Sequence, residues 1–322
     1  MTGWIVYKEA DALKNQNYIR MFTISAARHQ VDLQLIYVQD SLHALGFDLY
    51  QAPITTSSLL TSDSLILPDF VINRSRSTIL AKWLENQGVR VFNPAIVTDI
   101  CNDKQKTYEF IKEKGIPFMN TVYNIKDAAD WDFPFVVKPS YGHGGNLVTL
   151  VRSKTELAEH IRNITASYAE HPGYVLQQCA SDIGKDLRVY ILGGKIVASV
   201  MRSAYDDSLL QHFNPTGESN RASSIQEFSH IDIRSNYSLG HRASLHILNG
   251  EEEQLVQRII PLLPFDCIGI DFIYDKGHPI FNEIEDAVGA RMLYANSDLD
   301  LVSLYMNYMN HSMTSGFSVG NK

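Results

Sequence analysis

Residues 186–202, DLRVYILGGKIVASVMR, constrain the fold most, because apolar and polar residues alternate on both sides of a Gly-Gly pair. A period of two is typical of a half-buried strand, and two glycines between two such strands favour a tight hairpin turn. A two-residue turn puts the charged side chains of Asp186 and Arg188 on one face. The apolar side chains then share the other face: Leu187, Val189, Ile191, Ile196, Ala198 and Val200. The sequence predicts a hairpin with one core face and one charged face.

Strand and helix patterns alternate along the first 95 residues. Residues 3–8 and 32–38 have strand patterns around a helical pattern at 17–30, and residues 69–75 and 90–94 have them around one at 77–88. Gly88 is predicted to end the second helix, and Pro94 is predicted to end the last strand. These repeats predict a small parallel α/β domain, in which the Ser/Thr-rich residues 52–65 form a loop.

A glycine-rich segment follows residues 102–118, which predict a helix that Asn102 or Asp103 caps and that Gly115 and Pro117 end. In FPFVVKPSYGHGGNLVTLV, residues 133–151, an apolar strand ends on Lys138 and continues into Gly142, His143, Gly144 and Gly145. The segment is either an ordinary hairpin turn or a loop whose backbone N–H groups bind phosphate, with Lys138 adding a positive charge. The order of the glycines is that of neither a Walker A loop nor a Rossmann fingerprint.

Three carboxylates are predicted to converge in CIGIDFIYDKGHPIFNEIED, residues 267–286. If residues 276–278 form a three-residue turn, Asp271 lies opposite Glu283 with Cβ atoms about 5 Å apart, and Glu285 points the same way. Carboxylates without histidine or cysteine favour magnesium or manganese. A solvated, charged strand face is the alternative interpretation.

Composition limits the classes of protein. A chain of 322 residues with 45% hydrophobic content can form two or three cores. Its net charge of −8 argues against a nucleic-acid partner. Cys101, Cys179 and Cys267 lack zinc-site spacing and fit a reducing compartment. The N-terminus lacks a signal-peptide pattern, and no apolar run reaches the roughly 20 residues of a membrane span. We therefore expect a cytoplasmic location and no membrane partner.

The chain resembles the ATP-grasp superfamily, and within it the RimK-like carboxylate-amine ligases, over residues 69–310. Five motifs carry the resemblance in order: DKQKTYEFIKEKGIP, PFVVKPSYGHGG, VLQQCASDIGKDLRVYILGGKIVASVMR, IRSN and GIDFIYDKGHPIFNEIEDAVG. The resemblance implies an α/β fold with α+β lobes, in which a small parallel pre-ATP-grasp domain precedes a two-lobed ATP-grasp fold. The expected boundaries are 1–98 for the N-terminal domain, 99–174 for the central lobe with its flap, and 175–322 for the C-terminal lobe with the metal site.

Site residues carry over from the motifs. The resemblance makes Lys104 and Lys138 phosphate-binding lysines and residues 142–145 the flap over the triphosphate, with His143 inside it. It assigns the adenine edge to Gln177, Gln178 and Cys179, and the ribose to Asp186. It assigns the phosphates and the reacting carboxylate to Arg188, Arg202, Arg234 and Asn236. It assigns the metal to Asp271, Glu283 and Glu285. Arg74 and Arg291 are candidate clamps for a substrate carboxylate, because guanidinium groups bind carboxylates bidentately; a surface arginine is the alternative for Arg74.

Two features depart from the RimK-like pattern. Glu285 stands where these enzymes usually have asparagine, and DAVGAR follows in place of Ser-Pro-Gly. Residues 204–232 are longer than the corresponding loop, and form either a lid on the substrate side or a surface excursion. The scattered histidines of the C-terminal half are interpreted as structural.

The implied activity is that of an ATP-dependent ligase with Mg²⁺ or Mn²⁺. A carboxylate attacks the γ-phosphorus of ATP to give an acyl phosphate and ADP, and an amine then displaces phosphate to form an amide. The expected substrates are small-molecule or peptide carboxylates and amines, and homodimers or homotetramers are common in such proteins. Two alternatives are an ATP-binding regulator or scaffold, for which the loss of asparagine at 285 is the best support, and an ATP-grasp phosphotransferase.

Overall fold

The N-terminal part of the chain forms a five-stranded sheet. The computed structural model describes residues 1–40, 46–51, 66–168, 173–182, 184–203 and 242–315. Within these, the N-terminal elements are β1 (Thr2–Tyr7), α1 (Glu9–Lys14), α2 (Gln16–Arg28), β2 (Asp32–Asp40), β3 (Phe47–Gln51), β4 (Phe70–Asn73), α3 (Thr78–Asn86) and β5 (Arg90–Phe92). The strand order is β3-β2-β1-β4-β5. The predicted loop at 52–65 lies outside the described residues.

Most of this sheet is parallel, as the sequence predicts. Strand β1 runs parallel to β2 and β4, and β4 runs parallel to β5. The edge strand β3 is antiparallel to β2, which the sequence interpretation missed. Only six residues separate β2 from β3, and a parallel return needs a crossover of a dozen or more residues.

Helix ends in this part follow local signals. The Ser77 side chain accepts a hydrogen bond from the backbone N–H of Leu80 at the start of α3. Gly88, with φ of 81°, follows the helix, and the N–H of Val89 returns to the carbonyl of Leu84. Pro94 ends β5 as predicted, and it is also the N-cap of a helix absent from the sequence prediction, α4 (Ala95–Cys101).

The central lobe carries a four-stranded sheet. Its elements are α5 (Lys104–Glu113), β6 (Thr121–Val122), β7 (Phe135–Pro139), β8 (Thr149–Val151), α6 (Lys154–Ser167) and β9 (Tyr174–Gln178), with strand order β6-β9-β7-β8. Asp103 caps α5 by accepting hydrogen bonds from the N–H groups of Gln105 and Lys106. Strands β7 and β8 are antiparallel neighbours. The glycine-rich segment joins them through nine residues, 140–148, which is longer than a tight turn.

The C-terminal lobe carries an antiparallel five-stranded sheet. Its elements are β10 (Lys185–Leu192), β11 (Lys195–Ser203), β12 (Arg242–Leu245), α7 (Gly250–Ile259), β13 (Cys267–Asp275), β14 (His278–Glu285), α8 (Arg291–Asn296) and α9 (Leu301–Thr314). The strand order is β12-β11-β10-β13-β14. Residues 204–241, which include the predicted lid at 204–232, lie outside the described residues.

The β10–β11 hairpin has the predicted two-residue turn, but its predicted faces are partly wrong. A bulge between Tyr190 and Ile191 shifts the register, so that Arg188 lies opposite Val200 and Tyr190 opposite Ala198. Ala198 and Val200 therefore share the face of Asp186 and Arg188. Only Ile196 joins the face of Leu187, Val189 and Ile191, as predicted. The extra residue of a bulge reverses the alternation beyond it.

The β13–β14 hairpin also corrects the sequence prediction. Its turn has two residues, Lys276 and Gly277, both with positive φ, rather than three. A bulge between Asp271 and Phe272 then absorbs Asn282 and restores the predicted pairing of Asp271 with Glu283. The predicted pairs of Asp275 with Pro279 and of Ile273 with Phe281 are wrong, whereas the pair that matters for the carboxylates is confirmed.

One hydrophobic core joins the first and last parts of the chain. Phe22 of α2 and Phe92 of β5 pack against Tyr305 of α9, in a cluster that includes Val200 of the C-terminal sheet. Within the described ranges, no helix combines the length and apolarity that a bilayer crossing requires. The domain boundaries 1–98, 99–174 and 175–322 stay predictions.

Candidate active site

A cavity of about 590 Å³ lies where the three sheets meet. Its wall includes the loop between β7 and β8, the ends of β9 and β10, the β13–β14 hairpin and the N-terminal sheet. Every predicted site residue within the described ranges lines it: Arg74, Lys104, Lys138, Gly142, His143, Gly144, Gly145, Gln177, Gln178, Cys179, Asp186, Arg188, Arg202, Asp271, Glu283, Glu285 and Arg291. Arg234 and Asn236 lie outside the described residues.

Three carboxylates converge in this cavity. Ligand oxygens of Asp271, Glu283 and Glu285 lie within 4.8 Å of one another. Burial raises the pKa of Glu283, and the neighbouring carboxylates of Glu285 and Asp271 add to this against the opposing charge of Lys104. Such a set of hard oxygen donors with mutual repulsion suits a divalent cation. Within the described residues, this is the one group of acids, histidines or cysteines with metal-ligand geometry.

Two arginines from the charged hairpin neutralise Asp271. Arg188 donates to both of its oxygens at 2.7 and 2.5 Å and reaches Glu285 at 3.2 Å. Arg202 donates to Asp271 at 2.8 Å and also to Asp186. Burial alone would raise the pKa of Asp271, but the two guanidinium groups outweigh it and lower the pKa to about 2. The bulged register brings Arg188 and Arg202 to the same face, so both can reach this carboxylate.

Lys138 is buried at the end of β7. Its Nζ donates to Gln177 Oε1 at 2.8 Å, to Asn282 Oδ1 at 2.9 Å and to Tyr108 Oη at 3.3 Å. Burial lowers the pKa of Lys138 to about 8, against the opposing effect of Glu283. The sequence interpretation missed Asn282 and Tyr108 as partners. Asn282 could have been found only as the polar residue directly before Glu283, because the bulge that turns it toward Lys138 has no sequence signal.

A hydrogen bond from Lys104 holds the first glycine of the glycine-rich loop. Lys104 donates from Nζ to the carbonyl of Gly142 at 2.8 Å, and Lys104 Nζ also lies 4.0 Å from Glu283. Gly142, Gly144 and Gly145 have φ of 143°, 67° and 72°. A Cβ at Gly142 would meet Tyr168 Oη at 3.0 Å. All three positions therefore favour glycine for their backbone conformation, and Gly142 also needs it for space.

The predicted adenine and ribose positions end strand β9 and begin strand β10. Gln177 is buried and donates from Nε2 to Thr121 Oγ1 at 2.9 Å, besides holding Lys138. The Gln178 N–H donates to the carbonyl of Asn120, and Cys179 Sγ lies 3.5 Å from the carbonyl of Pro134. Burial raises the pKa of Cys179 to about 11, so this thiol is a weak nucleophile.

The two candidate substrate arginines differ in their surroundings. Arg74 is buried and donates to Tyr7 Oη at 3.1 Å, to the Val288 carbonyl at 3.0 Å and to the Ala287 carbonyl at 3.1 Å. Arg74 thus ties the N-terminal sheet to the segment after β14. Arg291 is exposed at the first residue of α8. A clamp role for either stays a prediction.

The N-terminal wall of the cavity holds residues that the sequence interpretation missed. They are Tyr7, Asp11, Lys14, Asn15 and Arg76. A second arginine two residues after Arg74, in NRSRS, was the available signal. Asp11 Oδ2 lies 3.7 Å from Arg76 and 3.8 Å from His143 Nε2, so the N-terminal domain faces the glycine-rich loop across the cavity.

A glycine-rich loop over a cavity between two β lobes, with lysines and clustered acids inside, is the arrangement of a nucleotide-dependent enzyme. A model described as "ATP-grasp domain" matches residues 101–286. The chain belongs to the ATP-grasp family.

Individual proteins agree with this. The chain is 29% identical over 227 residues to the uncharacterized protein MG011 of Mycoplasma genitalium, covering 70% of this chain and 68% of that protein. It is 25% identical over 258 residues to human β-citrylglutamate synthase B, covering 77% of this chain and 59% of that protein. A RimK domain protein of Sphaerobacter thermophilus has the same fold, with a TM-score of 0.62 and 13% identity over 96% of this chain and 99% of that one.

The predicted resemblance to RimK-like proteins is therefore confirmed. Family and relatives together make the chain an ATP-dependent carboxylate-amine ligase. ATP-grasp ligases use ATP with a divalent metal.

Proposed function

We propose that this cavity activates a carboxylate with ATP and joins it to an amine, releasing ADP and phosphate. The observation that carries the proposal is the convergence of Asp271, Glu283 and Glu285 within 4.8 Å, in one cavity with two lysines and the glycine-rich loop. A carboxylate is a poor electrophile with a poor leaving group. Its conversion to an acyl phosphate supplies a good leaving group, which the amine then displaces.

Nucleotide binding would use the wall formed by the two lobes. Lys104 and Lys138 would contact phosphate oxygens, and the backbone N–H groups of residues 142–145 would close over them. The segment Gln177 to Cys179 would hold the adenine edge, and Asp186 the ribose. The support is that all of these line the cavity, and that Lys138 is held by three polar partners and thus aimed before any ligand enters.

The acidic cluster fits Mg²⁺ or Mn²⁺. Asp271, Glu283 and Glu285 would hold it, because hard oxygen donors that repel one another are stabilised by a divalent cation. The metal supplies neutralisation of phosphate charge when bound. To bind a metal, Asp271 would have to give up some of its hydrogen bonds from Arg188 and Arg202. Both guanidinium groups would then be available for the phosphoryl group and the reacting carboxylate. Arg234 and Asn236 are proposed for the same task from sequence alone.

Exclusion of water is the task of the glycine-rich loop. An acyl phosphate hydrolyses readily, so the amine has to meet it in a closed site. His143 at this loop, 3.8 Å from Asp11, would let the N-terminal domain take part in closure.

The substrates are proposed to be a small-molecule or peptide carboxylate and an amine. The relative named β-citrylglutamate synthase B carries a product name in which an acid with several carboxylates is attached to an amino acid, and this supports an amino acid as the amine here. A cytoplasmic location, the absence of nucleic-acid and membrane partners, and a homodimer or homotetramer remain predictions.

ADP release in the presence of Mg²⁺ tests the proposal. We expect release only when both a pool of carboxylic acids and a pool of amino acids are present, and a product mass equal to acid plus amine minus water. Nucleotide binding without turnover would favour the scaffold, and a product heavier than an alcohol by one phosphoryl group would favour the phosphotransferase.

Two substitutions test the site. Lys138→Ala and Glu283→Ala should each abolish ADP release while circular dichroism shows a folded protein. The exposed residues Lys112 of α5 and Glu253 of α7 provide matched controls, Lys112→Ala and Glu253→Ala. Near-normal turnover in either site variant contradicts the assignment.

A further inference from the structure

Three cations of the cavity lining have side-chain donors that make no hydrogen bond within the described residues. Lys14 at the end of α1, Arg76 between β4 and α3, and Arg291 at the start of α8 all line the cavity. None donates a hydrogen bond to another residue of the described ranges. The nearest acid to Arg76 is Asp11, whose Oδ2 lies 3.7 Å away, beyond hydrogen-bond distance.

The buried cations of the cavity, in contrast, already have partners. Arg188 and Arg202 pair with the acidic cluster, Lys138 donates to Gln177 and Asn282, and Arg74 donates to backbone carbonyls. Asp11 is the one acid that the described part of the N-terminal sheet domain contributes to the lining. Among the described residues, Arg76 therefore has only the longer ion pair with Asp11 as a direct contact, and its guanidinium donors stay open to a ligand.

Arg76 is held in place by its backbone. Its φ is 61°, in the left-handed region that residues other than glycine rarely adopt. Buried Asn73 fixes the loop, because its Oδ1 accepts from the N–H and Oγ of Ser75 at 3.2 and 2.6 Å, and its Nδ2 donates to the carbonyl of Ser77 at 3.3 Å. Ser77 in turn caps α3. A long, rotatable side chain thus starts from a rigid point on the cavity wall, where its guanidinium donates no hydrogen bond within the part of the chain that the structure describes.

The position of Arg76 decides which ligand it meets. The reacting carboxylate would lie beside the acidic cluster and Arg188. Arg76 enters the cavity from the N-terminal domain, and from there, against the effect of burial, its charge helps Arg188 to lower the pKa of Glu285. Arg74, two residues earlier, contacts the carbonyls of Ala287 and Val288, so the Arg76 loop and the segment that leads to Arg291 form one wall. A group held there is a remote part of the acid substrate, and a guanidinium fork fits a carboxylate bidentately.

We propose that Arg76, with Lys14 and Arg291 in the lining of the same cavity, binds a second carboxylate of the acid substrate and so makes this ligase selective for acids that carry at least two carboxylates. The proposal rests on the proposed function, which it deepens by naming the class of acid.

Matched acid pairs test the selectivity of the wild-type protein. Glutarate is compared with pentanoate, and N-acetyl-L-aspartate with N-acetyl-L-alanine, by ADP release with pooled amino acids and by calorimetric titration in the presence of Mg²⁺ and a non-hydrolysable ATP analogue. We expect each diacid to be preferred over its monoacid by at least about tenfold, the usual range for a hydrogen bond to a charged group. Equal use of both members of each pair overturns the proposal.

Variants of Arg76 then identify the residue responsible. Arg76→Gly removes the guanidinium and keeps a residue that accepts positive φ, and Arg76→Lys keeps the charge without the fork. In Arg76→Gly the KM for the diacid should rise roughly 10- to 100-fold, the diacid-to-monoacid preference should fall toward one, and Arg76→Lys should recover part of it. Gln30→Gly is the matched control, because Gln30 also has positive φ, 56°, and lies outside the cavity lining.

The nucleotide analogue separates this proposal from the proposed function. If Arg76→Gly lowers the affinity for the ATP analogue as much as the affinity for the diacid, Arg76 belongs to the phosphate site and the proposal is overturned. It is overturned equally if no diacid binds or turns over in the wild type. In that case, the proposed ligase function still holds if the protein binds the ATP analogue and turns over monoacids. It is contradicted if the protein neither binds the analogue nor turns over any acid.

Discussion

At the scale of single residues, burial and the charge of neighbouring groups act against each other on Asp271 and Lys138, with opposite outcomes. For Asp271 the two guanidinium groups outweigh burial, and the pKa falls to about 2. For Lys138 burial outweighs the attraction of Glu283, and the pKa falls to about 8. The partners of Lys138 are mostly neutral, namely Gln177 and Asn282, so nothing on the protein fully replaces its lost hydration. A polyanion would.

The first prediction concerns Lys138 and pH. A bound phosphate favours the charged form of the Lys138 amine. Above pH 8 the free protein holds this amine mostly neutral, so nucleotide binding has to take up a proton, and the affinity for nucleotide declines as pH rises. We expect the affinity for a non-hydrolysable ATP analogue to fall about tenfold between pH 7 and pH 9. In Lys138→Arg, whose side chain stays charged over this range, the decline should be much smaller. Calorimetry at several pH values measures both, and identical declines would contradict the prediction.

The second prediction concerns the acid in place of asparagine. Glu285→Asn removes one negative charge from the cluster and the 3.2 Å contact with Arg188. Ligand charge tunes divalent-cation affinity, so we expect the Mg²⁺ concentration for half-maximal ADP release to rise roughly tenfold, with turnover regained at saturating metal. Binding of Mn²⁺, followed by electron paramagnetic resonance, should weaken in parallel. Glu253→Asn on the exposed face of α7 is the control. If ADP release in Glu285→Asn depends on the Mg²⁺ concentration as it does in the wild type, the prediction is wrong.

At the scale of elements, two bulges decide which side chains reach the cavity. One between Tyr190 and Ile191 puts Val200 on the face of Arg188, and one at Asn282 returns Glu283 to Asp271. The sequence predicted the Asp271–Glu283 pair from a three-residue turn without a bulge, whereas the hairpin has a two-residue turn with one. The two differences cancel, since each moves the register by one residue.

The third prediction concerns the segment between β14 and α8. Arg74 holds it through the carbonyls of Ala287 and Val288. Arg74→Leu leaves these buried carbonyls without their donor, and should lower the free energy of unfolding by roughly 2 to 4 kcal/mol in urea titrations. Arg28→Leu on the exposed face of α2 should change it by less than about 0.5 kcal/mol. A similar small change in Arg74→Leu would show that Arg74 does not stabilise this segment.

At the scale of the whole molecule, the N-terminal sheet and the C-terminal lobe share polar as well as apolar contacts. Asn93, next to β5, donates to the carbonyls of Cys267 and Asp286 at 2.9 and 3.0 Å. Arg90 of β5 and Tyr308 of α9 both donate to Asp266 Oδ1, at 2.6 and 2.8 Å. The cavity wall that carries Arg74 and Arg76 is thereby fixed relative to the acidic cluster.

The fourth prediction concerns Asp266 at this junction. Burial outweighs Arg90 and raises the pKa of Asp266 to about 6, above the roughly 3.9 of an unfolded chain. The folded protein therefore binds more protons between these values, and the stability from this group is lost as pH rises through about 6. We expect the unfolding free energy of the wild type, relative to Asp266→Asn, to fall by up to roughly 3 kcal/mol from pH 4 to pH 7.

Urea titrations across this range measure the difference. Asp130→Asn, at an exposed position, should show a far weaker pH dependence relative to the wild type. A relative stability of the wild type that stays level or rises with pH would contradict the prediction.

The sequence by itself determined the order of the motifs, both C-terminal hairpins and most of the N-terminal strands and helices, because hydrophobic period, caps and glycine turns are local signals. The alternating strand and helix patterns predicted the α/β domain, whereas the resemblance to RimK-like ligases predicted Lys104, Lys138, the glycine-rich loop and the three acids as one site. Only the tertiary structure decided the two bulges, the antiparallel pairing of β3, the contacts of Asn282 and Tyr108 with Lys138, and the place of Arg76 in the cavity lining. The physical reason is that a bulge or a contact between distant segments depends on packing across sheets, which leaves no periodic trace in the residues that make it.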